Sequence, residues 1–174
     1  MLIDTHGHVN FNAFKEDADE VLKRALENDT WVIMPGSQYS TSKRAVEIAE
    51  RYGEGVYAAV GLHPIHLGES RDVDTWEVQS EILRQAQDKQ TWMTFTTRHE
   101  IFDYEAYKKL TESKKVVAIG EAGLDYYRIP KSKTKREEAK HLQKEILRRQ
   151  IDLSLEKNLP FIFHCRVAHD ELIE

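Results

Sequence analysis

The sequence predicts an α/β protein built on a parallel sheet, and three observations lead there. Five short apolar, β-rich runs, at 1–9, 31–37, 56–64, 116–124 and 160–166, are separated by segments with helical patterns. Strand–helix–strand alternation of this kind implies right-handed βαβ units. The runs are nearly continuous in apolar character, as expected of strands buried on both faces. Their polar residues gather at the C-terminal ends: His6 and His8, Ser37, His63, Glu121, and His164 with Arg166. In α/β folds that edge carries the active site.

Taken in order, the first run ends in Asp4-Thr5-His6-Gly7-His8. Alternate residues of a strand share a face, so Asp4, His6 and His8 are expected to point one way. Asp17-Ala18-Asp19-Glu20 opens a helix with Val21, Leu22, Ala25 and Leu26 on one stripe. Thr41 or Ser42 is the expected N-cap of the next, whose stripe is Ala45, Val46 and Ala49. The segment 68–115 is too long for one crossover. It holds a charged stretch at 77–90 and an aromatic-rich piece at 92–107, where Phe102, Tyr104 and Tyr107 are placed to pack a second helix over the sheet. It reads as a packing insertion, with a lid or substrate wall as the alternative. A further helix is expected at 137–157, with Leu142, Ile146, Leu147, Ile151 and Leu155 as its apolar stripe. Asn158-Leu159-Pro160 ends it and starts the last strand. No repeat, low-complexity tract or linker interrupts 1–174, which reads as one domain.

Composition narrows the function. With 40% hydrophobic and 32% charged residues, the chain can build a core beneath a well-charged surface. No apolar run approaches the ~20 residues that span a bilayer, and Asp4 and His6 interrupt the N-terminus too soon for a leader. A single cysteine, Cys165, excludes an internal disulfide and points to a reducing cytoplasm. Nothing places a base beside it, so it reads as packing rather than a nucleophile. The formal charge of −5 argues against binding nucleic acid by global charge. It leaves room for a local basic patch or a carboxylate site filled by divalent cations.

The chemistry-bearing residues suit such a site. Imidazole is the commonest protein metal ligand near neutral pH. Glu121 follows five apolar or small residues, and burying it unpaired is costly. A metal relieves that cost, and a carboxylate can bridge two metals. His164 shares a strand face with Ile162 and Arg166. His6, His8, Glu121 and His164 therefore read as ligands for zinc, manganese or magnesium. Two ions ~3.5–4 Å apart would clamp a phosphoryl transfer. His63 lies in line with its strand face and is expected to contact substrate or leaving group, whereas His66 reads as solvent-exposed. His99, His141 and His169 receive no role. The loop 126–136 is the densest basic run, and its tyrosines beside cations can stack bases and bind phosphates. It supplies Tyr126 and Arg128 as substrate contacts, joined by Arg166. A solvated loop is the alternative.

Together, Asp4-Thr5-His6-Gly7-His8, Gly61-Leu62-His63-Pro64, Gly120-Glu121-Ala122-Gly123-Leu124-Asp125-Tyr126 and His164-Cys165-Arg166 resemble the signature blocks of TatD-type metal-dependent deoxyribonucleases. These belong to the amidohydrolase-like TIM-barrel hydrolases. The resemblance implies a (β/α)8 barrel, of which this chain holds the first five βα units, with a helical insertion between strands 3 and 4. It implies two divalent metal ions: His6 and His8 on the first, Glu121 bridging, and His164 on the second. His63 would sit near the scissile phosphate, and Glu121 and His63 would be the catalytic pair. The implied activity is 3′-to-5′ hydrolysis of DNA phosphodiesters, often on single strands.

Departures accompany the match. The family's later histidine and late aspartate have no counterpart here, Val167 stands where aspartate is common, and the 68–115 segment is longer than usual. An incomplete barrel would expose a strand edge and part of its core, so self-association is expected only if this length is the mature one. Two other readings stay open: an amide, ester or lactone hydrolase on the same barrel, and a catalytically incomplete interaction piece.

Overall fold

The computed structural model describes residues 1–68, 72–74, 94–96 and 98–173. Five parallel strands form a curled half-barrel: β1 (Leu2–Asp4), β2 (Thr30–Pro35), β3 (Val56–Val60), β6 (Val116–Asp125) and β7 (Phe161–Arg166), hydrogen-bonded in that order. Between β3 and β6 lies a two-stranded antiparallel ribbon, β4 (Asp72–Asp74) and β5 (Thr94–Thr96), followed by a short helix. The insertion expected to be helical therefore carries strand pairing as well. Its charged stretch at 77–90 lies outside the described residues.

The first strand is much shorter than the apolar run suggested. It ends at Asp4, and His6 and His8 sit beyond it, so strand alternation does not place them. A backbone bond from Gly7 N to Ile33 O continues the pairing with β2. β1 is exposed along its length, with Leu2 at 70% and Ile3 at 51%, because it is an edge of the sheet. Phe163 on the opposite edge is 53% exposed. The expectation of strands buried on both faces holds for the middle of the sheet and fails at its two sides.

Helix α1 (Ala18–Glu27) buries Leu22 and turns Asp19 and Glu20 to its N-terminus, where they favour the helix dipole. Helix α2 (Tyr39–Ala49) starts earlier than expected. Thr41 is its third residue, and its hydroxyl accepts from the backbone N–H of Ser37 and of Gln38, both at 2.9 Å. This reach back to the cap backbone satisfies donors that the helix leaves open. Ser42 is buried and exchanges hydrogen bonds with the backbone of Gly61. Helix α3 (Tyr104–Leu110) packs Tyr107 into the core, beside Phe102 from the segment just before it, as the aromatic spacing suggested.

Helix α4 (Lys133–Lys157) begins four residues before the expected start, so Lys133, Lys135 and Arg136 are helical rather than part of the loop. Its inward stripe also differs. The buried residues are Gln143, Ile146, Leu147, Gln150, Leu153 and Ser154, while Leu155 is 74% exposed and Leu142 lies at the surface. Two glutamines take places that apolar residues were expected to fill. Asn158 ends the helix in the left-handed region, at φ 51°. The short α5 (His169–Ile173) follows β7.

The core lies between the sheet and these helices, around Leu22, Met34, Ile48, Val56, Val60, Leu62 and Ile119. Gly61 marks a close approach: a Cβ there would lie 2.7 Å from the backbone of Gly120. That contact draws the His63 and Glu121 segments together. No helix among the described residues is long and apolar enough to cross a membrane.

Candidate metal centre

The C-terminal ends of the strands converge on a cavity of about 730 Å³. Glu121, only 12% exposed at its side chain, stands at the centre. His6 Nε2 is 3.1 Å from its Oε2, and His164 Nδ1 is 3.0 Å from its Oε1. His8 and His63 each place Nε2 3.9 Å from the same carboxylate. The four proposed ligands and His63 thus meet at one point, through loops as much as through strand faces.

Two groups could hold a cation: His6, His8 and Glu121, and His63, Glu121 and His164. Within each, the ligand atoms lie within 4.8 Å of one another. Glu121 belongs to both. The imidazole tautomers sort the histidines further. His8 Nδ1 donates to the Pro35 carbonyl at 3.2 Å, which leaves Nε2 a lone pair facing Glu121. A ligating histidine commonly donates its other nitrogen in this way. His63 is the reverse. Its Nδ1 accepts from Ile65 N at 3.1 Å, so its proton sits on Nε2, the nitrogen that faces Glu121. That arrangement suits a hydrogen-bond donor better than a ligand.

Asp125 completes the cluster and was given no role on sequence grounds. It is 3% exposed and accepts from His164 Nε2 at 3.3 Å. It also accepts from the backbone N–H groups of Tyr127 and Arg128. Alternation was the available signal, since Asp125 shares the strand parity of Glu121. Asn10, also unnoticed, is buried and donates to the carbonyls of Pro35 and Thr41, both at 3.0 Å. It fixes the loop that carries His8.

The electrostatics favour a bound cation. Burial alone would raise Glu121, but hydrogen bonds from His164 and His6 hold it far below the usual carboxylate range. Burial works against charge on His164 too, yet bonds to Asp125 and Glu121 raise it to about 9. Burial, reinforced by the charge of His164, pushes His63 down to about 3. Two buried carboxylates thus demand positive charge between them. In the metal-free protein a proton on His164 supplies it, and a divalent ion fits the same donor set.

Two buried glutamines hold the strand ends beneath this cluster. Gln150 accepts from Leu62 N at 2.8 Å and donates to Leu62 O at 3.0 Å, next to His63. Gln143 does the same for Asp125, at 2.8 and 3.1 Å.

His66 corrects an expectation. It is 4% exposed, not solvated, and its Nδ1 donates to the Arg98 carbonyl at 3.2 Å. Burial lowers it to about 4. The folded state therefore refuses a proton that the unfolded chain accepts near pH 6.5. Its stabilising effect is present above pH ~6.5 and lost as pH falls toward 4, by about 3 kcal/mol. Urea unfolding at pH 7 and pH 4.5 should reveal this loss, and His66→Gln should make it smaller, leaving the share that His63 contributes over the same range. An unchanged pH slope in the variant would refute the assignment.

The substrate contacts expected from sequence divide. Arg128 and Arg166 line the central cavity, joined by Arg44 and Arg98, which sequence reasoning missed. Tyr126 lies outside it. Its hydroxyl donates to Glu171 at 3.0 Å, and Lys140 covers its ring.

A parallel half-barrel that gathers histidines and buried carboxylates at its carboxyl edge defines a metal-site α/β-barrel protein. The chain belongs to the TatD related DNase family, whose sequence profile matches residues 3–174. It is 35% identical over 176 residues to the uncharacterized metal-dependent hydrolase YabD of Bacillus subtilis, covering 99% of this chain and 54% of that protein. It is 28% identical over 172 residues to the 3′-5′ ssDNA/RNA exonuclease TatD of Pantoea ananatis, covering 97% of this chain and 52% of that protein. The crystal structure of the TatD homolog YjjV from Escherichia coli superposes with a TM-score of 0.66 at 28% identity, over 98% of this chain and 53% of that one. The chain spans about half the length of the curated relatives it matches.

Proposed function

We propose that the chain carries the metal-binding part of a hydrolase that cleaves phosphodiesters of single-stranded DNA from the 3′ end. One observation supports this above the others: Arg44, Arg98, Arg128 and Arg166 line the same cavity as Glu121 and its histidines. A cationic wall around a metal-ligand cluster suits a polyanionic substrate, whereas a neutral amide, ester or lactone has no need of it.

Two divalent ions, zinc, manganese or magnesium, are the cofactors of this reading. His6, His8 and Glu121 would hold one, and Glu121 with His164 would hold the other. Bound there, such ions supply Lewis acidity toward a phosphoryl oxygen and ease the ionisation of water. The chain's own residues do the rest. Asp125 takes the hydrogen bond of His164 Nε2 and orients that ring. His63, neutral and protonated on Nε2, donates to an oxygen of the scissile phosphate. Arg128 and Arg166 offset charge on the phosphates and position the strand. The lone cysteine agrees with a reducing, cytoplasmic setting.

The test is incubation with manganese or zinc and a 5′-labelled single strand. Stepwise shortening from the 3′ end, absent with chelator and lost in His6→Ala, is the expected result. Turnover of a carboxylic ester or lactone with the DNA left intact would transfer the assignment to the other branch of the superfamily. Metal binding with no turnover of either substrate would favour a catalytically incomplete piece.

A further inference from the structure

A second cavity, of about 430 Å³, lies beside the metal centre. The residues that separate the two are informative. Arg166 lines the first cavity and lays its guanidinium 4.0 Å from the centre of the Tyr127 ring, which lines the second. Tyr127 is 63% exposed, so its ring is supported by a cation and remains open to solvent.

The far wall is cationic, formed by Lys131, Arg136 and Lys140. The one carboxylate there, Glu171, is already satisfied by Lys140, Lys144 and the Tyr126 hydroxyl. Lys140 is committed to it. Among the described residues Arg136 donates to the backbone carbonyls of Pro130 and Lys131, bonds that fix the loop, and it pairs with no carboxylate. Lys131 is exposed and pairs with no carboxylate among the described residues. The cavity thus offers two uncompensated cations and a supported aromatic face.

We infer that this second cavity binds the nucleotides of a single strand next to the one at the metal centre, with a base stacked on Tyr127 and phosphates held by Lys131 and Arg136. The inference rests on the nuclease reading above. A flexible strand alternates π faces with phosphates, and an exposed ring beside cations matches that alternation. A base-paired duplex hides those faces, which favours the single strand. Under 3′-end entry the cavity holds the residues on the 5′ side of the reacting phosphate. Arg166 then acts in both cavities, facing the metal site while supporting the stacking ring.

The experiment measures binding of the full chain to 5′-fluorescein oligothymidylates two and six nucleotides long. Phosphorothioate linkages prevent cutting, manganese is present, and fluorescence anisotropy is the readout. The quantity of interest is the ratio of the two affinities. In the wild type the longer strand should bind at least ~5-fold more tightly, the scale of one stacked base. Tyr127→Ala and Lys131→Ala should each bring the ratio toward one, while Tyr127→Phe retains it. Lys131→Ala should also reduce the log–log salt slope for the longer strand by ~0.7, one phosphate contact. A length gain that persists in both alanine variants overturns the second cavity and leaves the nuclease reading intact. Failure to bind a strand of either length overturns both.

Discussion

Glu121→Gln should weaken divalent-metal binding more than ~100-fold, beyond the range seen when residues that merely support a metal ligand are lost. The reason is its double membership. His6 and His8 meet one side of the carboxylate and His164 and His63 the other, so one substitution strips both candidate groups of their anionic ligand. Glutamine keeps the shape and one acceptor oxygen, so loss of binding reports on charge rather than packing. His6→Ala should act on one group alone and leave part of the binding. Titration calorimetry with zinc or manganese distinguishes the two variants. Unchanged affinity and stoichiometry in Glu121→Gln would show that the cluster is only a hydrogen-bonded network.

Gln150→Met should cost roughly 2–6 kcal/mol of stability, a large share of the ~5–15 kcal/mol that holds a domain together. Methionine has nearly the same length and no hydrogen-bonding amide. The N–H and C=O of Leu62, both bonded to Gln150 and both buried, would lose their partners together. Each orphaned buried group costs ~1–3 kcal/mol. Leu155→Gln, a change of similar size on the exposed face of the same helix, should fall within ~0.5 kcal/mol of the wild type. Urea unfolding compares the two, and a cost below ~1 kcal/mol for Gln150→Met would mean that water replaces the amide.

These two sites show unequal legibility in the sequence. The five parallel strands follow from their apolar runs, and the convergence of His6, His8, Glu121 and His164 follows from polar residues at strand ends. The route to convergence does not. β1 stops at Asp4, and His6 and His8 are placed by Gly7 N on Ile33 O and by bonds to the Pro35 carbonyl. Loop geometry of that kind leaves no periodic trace. In α4, the apolar stripe Leu142, Ile146, Leu147, Ile151 and Leu155 holds at Ile146 and Leu147, with Ile151 half-buried against the core, and fails at Leu142 and Leu155. The buried positions are 143, 146, 147, 150, 153 and 154, a regular stripe that includes two glutamines. A polar residue on such a stripe is visible only when period is weighed above hydropathy. Burial of His66 was hidden for a related reason: its partner, the Arg98 carbonyl, returns from an insertion 32 residues away.

The two glutamines stand seven residues apart on one helix, and their amides grip the ends of two neighbouring strands. Seven residues make almost two turns, an advance of ~10.5 Å with almost no net rotation. A single codon gained or lost between positions 143 and 150 would swing one amide ~100° away from its strand. The reading frame of this helix is therefore a measure of length as well as a string of side chains. The spacing between its two grips constrains this helix by geometry alone, whatever side chains stand between them.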